Sequence, residues 1–155
     1  MKTKLATIMV FLASLFLATF AQAQGSLEGA WQTTEVMITG GDNEGTNTDP
    51  EPSLLMFTGT HYSTMRNVGS RPSTTEGESL TDEQVIAAYR SFRANTGTYE
   101  ASGSKIMYHV MVARGPTFAG ATPEVEYRIE GDKLMTTSAP NDEGVVTHVT
   151  YTRLE

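Results

Sequence analysis

Leu27-Glu28-Gly29-Ala30-Trp31 is the stretch that decides how this chain reads. It follows closely on an apolar leader and opens a run of short segments separated by turn residues. A Gly-x-Trp at the head of a first strand points to a small antiparallel barrel that closes around its own interior. The same five residues say little about what such an interior would hold.

Upstream of that stretch, Lys2 and Lys4 precede an almost wholly apolar run from Leu5 to Phe20, and Ala21-Gln22-Ala23 supplies small residues for cleavage. This three-part layout predicts a secretory signal peptide over residues 1–23. The apolar run is about 16 residues, short of the roughly 20 that a spanning helix needs, so no stable membrane anchor is expected. No Cys is present, which excludes lipid attachment through a leader cysteine and any disulfide. The expected location is secreted or periplasmic.

The remainder, residues 24–155, is 132 residues, the size of one domain with one core. The leader holds two of the eleven basic residues and none of the eighteen acids, so residues 24–155 carry nine bases against eighteen acids, a net charge of −9. A chain this acidic is not expected to bind nucleic acid or an anionic membrane surface.

Working outward from Trp31, the pattern predicts eight strands at residues 31–39, 53–58, 61–68, 98–102, 105–114, 124–130, 133–138 and 145–154. A polar loop with four acids and two prolines fills residues 40–52. Gly59-Thr60, Gly103-Ser104 and Gly131-Asp132 separate consecutive strands. Short connections imply antiparallel neighbours. One helix interrupts the run. Thr81 and Gln84 form a capping box, Leu80 and Val85 a hydrophobic staple, and Asp82 and Glu83 favour the helix dipole. Val85, Ile86, Tyr89 and Phe92 then share one face, and Gly97 ends the helix after Asn95. The expected fold is all-β: an eight-stranded antiparallel up-and-down barrel with one α-helix between strands three and four, covering the barrel mouth. A two-sheet sandwich is the competing architecture, and the even turns without a long crossover favour the barrel.

The motifs resemble a family. Leu27-x-Gly29-x-Trp31 looks like the opening motif of the lipocalin-like proteins of the calycin superfamily, and Tyr151-Thr152-Arg153-Leu154 resembles their last-strand segment. The capped helix, Gly97-Thr98-Tyr99-Glu100 and Tyr108-His109-Val110 are similar to the small bacterial lipocalin-like domain family. The long C-terminal helix and disulfide pair of longer lipocalins are missing. The resemblance implies a barrel with a central cavity over residues 24–155.

Trp31 and Arg153 fit a structural role with Gly29, closing the barrel floor, because a guanidinium stacks on an indole face while its donors bind carbonyls. Alternation along the strands then leaves choices. With Trp31 inward, so are Thr33, Glu35 and Met37. On the next-to-central strands, Tyr62/Thr64/Arg66 competes with His61/Ser63/Met65, and Ile106/Tyr108/Val110/Val112 with Met107/His109/Met111. The resemblance and the Met-His-Met spacing favour the latter set on the fifth strand. Val125, Tyr127 and Ile129 face inward by clean alternation with charged neighbours.

The expected cavity is therefore lined by Glu35, Met37, Met56, Met107, His109, Met111 and Tyr127, and it takes a small apolar molecule. An alternative is an enzyme of the isomerase or cyclase type, with Glu35 and His109 moving a proton. A third reading is a structural module with a filled core. His61, His109 and His148 lack metal-ligand spacing, and Asp42-Asn43-Glu44 lacks the calcium-loop pattern, so neither metal nor cofactor is expected. No Gly-x-Ser-x-Gly, phosphate-binding or dinucleotide-binding motif occurs.

Overall fold

Tight glycine turns at one end and longer loops at the other set the plan of this molecule. The computed structural model describes residues 26–72 and 77–155. The expected leader, residues 1–23, lies outside the described residues. The elements are β1 (Gly29–Thr39), β2 (Gly45–Asn47), β3 (Ser53–Thr58), β4 (His61–Asn67), α1 (Asp82–Arg90), β5 (Phe92–Ser102) and β6 (Lys105–Ala113). A 3-10 turn (Pro116–Phe118) then leads to β7 (Glu124–Glu130), β8 (Lys133–Ser138) and β9 (Val146–Arg153).

From β3 to β9 each strand pairs antiparallel with the next, and β1 pairs with both β3 and β9. That double pairing closes eight strands into a barrel with no free edge. β2 is extra. It pairs only with Val36, Met37 and Ile38 of β1, inside the stretch expected to be loop. The helix consequently falls between β4 and β5 rather than between strands three and four.

The helix forms where its cap predicts. Thr81 Oγ1 accepts from the Gln84 N–H at 3.3 Å, and Gln84 Oε1 accepts from the Thr81 N–H at 2.9 Å. It ends at Arg90, earlier than expected, because Phe92 pairs at once with Asn67 and the β4–β5 ladder runs on to Thr98. Ladder bonds across the whole of β4 outweigh helical spacing in residues 92–96. Gly97 therefore lies in a strand, at a bulge where an added Cβ would stand 1.9 Å from the His109 carbonyl oxygen.

The core sits at the end closed by the Gly59, Gly103 and Gly131 turns. Trp31, Phe57, Ile106 and Leu134 are fully enclosed there. Phe57 meets Tyr99 edge-on at 4.8 Å, and Tyr127 and Ile129 pack against the same cluster. At the seam, Trp31 and Arg153 are register partners, with the guanidinium 4.0 Å over the indole. Arg153 donates to the carbonyls of Glu28 at 2.6 Å and Ser26 at 2.5 Å. Trp31 Nε1 donates to Leu27 O at 2.8 Å.

Gly29 has φ of +125°, and a Cβ there would lie 2.7 Å from both Arg153 Nη1 and Glu155 O. Gly29→Ala therefore combines backbone strain with displacement of the stacked arginine. It is expected to lower unfolding free energy by about 2 kcal/mol, read from a urea titration.

Candidate functional site

Which side chains reach the barrel interior depends on strand alternation and on where that alternation breaks. On β1, Trp31 and Thr33 face inward, and the register with β9 then shifts between Thr33 and Glu35. Beyond this bulge Val36 pairs with Val149 and Ile38 with Thr147, and those partners line the interior. Glu35 and Met37 pair with Thr150 and His148 and point outward instead. One inserted residue reverses the facing of everything beyond it.

The choice on β6 is also reversed. Ile106 and Val110 are buried and Tyr108 lines the cavity, whereas Met107 is 38% and Met111 65% exposed. Tyr108 packs against the buried core cluster. It sits edge-on to Tyr62 at 4.6 Å and stacks with Phe57 at 6.3 Å. His109 faces outward, 3.4 Å from Glu100. Glu35 and His109, on outer faces of different strands, make no acid–base pair. Met56 alternates with the buried Leu55 and Phe57 and so takes the other face. Tyr127 faces inward but packs in the floor cluster, while Val125 of the same strand lines the cavity.

Above the floor the barrel is not filled. A cavity of about 580 Å³ opens at the end carrying the longer loops. This falls within the range of small-molecule sites. Its apolar wall includes Leu55, Val125 and Val149, with Phe118 near the mouth. Three phenols project into it: Tyr62, Tyr108 and Tyr151. Tyr62 Oη donates to Asn95 Oδ1 at 2.7 Å, and Ser53 Oγ donates to Thr33 Oγ1 at 2.5 Å. Burial pushes the Tyr62 phenol up to about 12. Burial also raises Tyr108, reinforced by Tyr151, Tyr62 and Tyr99 nearby. Tyr151 is raised by burial, partly opposed by the Arg66 charge and a hydrogen bond with Thr136. All three phenols therefore stay protonated at neutral pH and remain donors.

Arg66, Arg93 and Arg114 complete the lining toward the mouth. Alternation on β4 alone admits either Tyr62/Thr64/Arg66 or His61/Ser63/Met65 inward, and no sequence motif marks Arg93 or Arg114. The inward facing of Tyr62 was the available signal for Arg66, since residues two apart share a face.

The helix does not cover the mouth. It contributes no residue to the cavity wall and buries none of its own. Val85, Ile86 and Tyr89 are each about half exposed. It flanks the opening through one clamp. Arg114 lies 4.2 Å over the Tyr89 ring and donates to Tyr89 O at 2.8 Å, while Tyr89 Oη donates to Arg114 O at 3.0 Å. Thr117 and Phe118 of the 3-10 turn line the opening instead. Among the described residues no three His, Cys, Asp or Glu side chains gather as a metal site.

Eight strands run up and down around one cavity, the seam is closed by an arginine over a Gly-x-Trp tryptophan, and one helix is inserted beside the mouth. This is the closed up-and-down barrel that the Gly29-x-Trp31 motif predicts. The structure is similar to that of a lipocalin-like protein from Bacteroides uniformis, with 13% sequence identity and a TM-score of 0.48 over 84% of this chain and 100% of that one. It is also similar to an uncharacterized protein from Bacteroides eggerthii, with 11% identity and a TM-score of 0.46 over 83% of this chain and 99% of that one. No protein-family model matches the sequence, and no curated protein matches it.

The raised phenols give an alkaline signature. The unfolded chain releases these protons near pH 10, and the folded barrel holds that of Tyr62 to about 12. Stability is thus complete below about pH 10 and falls as pH rises toward 12. Ultraviolet titration of the phenolates is expected to show exposed tyrosines ionising first and a delayed step that Tyr62→Phe reduces in amplitude, the rest coming from the other buried phenols. A single step near pH 10 in the folded protein would contradict this placement.

Proposed function

We propose that this lipocalin-like barrel is an exported binding protein that holds a small, largely apolar molecule in its cavity. The observation that carries the reading is the open space of about 580 Å³ between eight closed strands. A barrel that only needed a core would fill that space with larger side chains. Ser53, Ala94, Ala113, Ser138 and Thr147 stand there instead. Burial of ligand surface against Leu55, Tyr108, Val125 and Val149 supplies the driving force, roughly 25 cal/mol per Å² before ordering costs. Export is supported by the basic, apolar and small-residue layout of residues 1–23.

Native mass spectrometry of the protein purified from its host's exported fraction tests the reading. A co-purifying small molecule, released by solvent extraction, is the expected result. Thr147→Trp places an indole in the cavity and is expected to abolish that adduct while leaving the far-ultraviolet circular dichroism unchanged. A bare mass that no small-molecule library shifts would overturn the reading.

A further inference from the structure

The cavity wall has an uneven charge. Three of the chain's seven arginines line it, and among the described residues no aspartate or glutamate does, although acids outnumber bases eighteen to eleven overall. Arg66 and Arg93 are direct partners across β4 and β5, both on the inner face. Like charges placed directly opposite each other repel, so the pair is costly unless something negative lies between them. No ion pair among the described residues supplies it. The ion pairs among the described residues are Lys105–Glu124, His109–Glu100 and Arg128–Glu130. Asp49 and Glu51 border a neighbouring recess that also touches Arg66, yet neither forms an ion pair with it.

The donors are left open as well. Arg66 makes no hydrogen bond with a described residue, and its charge is felt at the Tyr151 phenol. Arg93 turns Nη1 to the carbonyls of Arg90 and Phe92, at 2.6 and 3.1 Å. Arg114 is clamped to Tyr89, but its Nε is buried without a partner.

Resting on the binding function above, we propose that the cavity selects an anionic amphiphile: an apolar body seated on Leu55, Val125 and Val149, with a carboxylate or similar oxyanion held between Arg66 and Arg93 at the mouth. A guanidinium offers a carboxylate two parallel donors. The anion relieves the Arg66–Arg93 repulsion, which a neutral ligand does not. A cationic ligand would aggravate it.

Three probes sharing one tail separate these cases: decanoate, decanol and decyltrimethylammonium, titrated calorimetrically into the protein lacking residues 1–23. Decanoate is expected to bind at least about tenfold more tightly than decanol, with decyltrimethylammonium weakest. Arg66→Gln should bring decanoate down to the affinity of decanol. Arg66→Lys should restore part of the preference. Because Arg66 is exposed at the rim, both variants are expected to fold, and Arg66→Gln should unfold no earlier than the parent without ligand. Equal binding of decanoate and decanol, or a preference unaltered in Arg66→Gln, overturns the anion site and leaves cavity binding standing. Failure of all three probes to bind counts against cavity binding and the anion site together.

Discussion

Closure of β1 against β9 is the constraint on which everything else here depends. A meander of strands leaves two rows of unpaired backbone groups, and the β1–β9 ladder pairs them with each other. At one end of that seam Arg153 lies over Trp31 and ties down the carbonyls of Ser26 and Glu28. The same guanidinium thus joins the two ends of the described chain and covers the largest core side chain. Gly29 permits this approach because no Cβ stands between backbone and guanidinium.

Once closed, the barrel divides along its axis. Aromatic and branched side chains fill the half beside the tight turns, where Phe57, Tyr99, Ile106 and Leu134 interlock. Smaller and hydroxylated residues occupy the same inward positions nearer the loops and leave a cavity. Two bulges decide which side chains take part. One between Thr33 and Glu35 turns the far half of β1 over, and one between Thr96 and Gly97 lets β5 approach β6 closely. The tyrosine hydroxyls mark the boundary between the two halves. They extend the packed aromatic cluster upward while presenting donors to the space above.

Charge follows the same division between inside and outside. β7 alternates Glu124, Glu126, Arg128 and Glu130 outward with Val125, Tyr127 and Ile129 inward, which keeps acids in solvent. The arginines at the mouth are the exception to an acidic molecule. Arg114 also shows how the helix is used. Held by one stacked ring and two hydrogen bonds, α1 stands beside the opening with its apolar residues half exposed.

The eight barrel strands, the turn positions, the capped helix start and the inward set on β7 were legible in the sequence, because each rests on neighbours a few residues apart, whereas the short β2 was not. Alternation, a capping box and a glycine turn are local, and local physics decides them. The cavity lining was not legible. A single bulge reversed Glu35 and Met37, and packing against Phe57 and Tyr62 chose Tyr108 over its methionine and histidine neighbours. The early end of the helix came from the β4–β5 ladder claiming residues 92–96. Arg66, Arg93 and Arg114 lie far enough apart in sequence that only strand pairing brings them to one mouth. The sequence by itself determined an all-β chain with an inserted helix. The tertiary structure decided which face of each strand is the inside, since facing depends on register across the whole barrel and one residue inserted anywhere changes it.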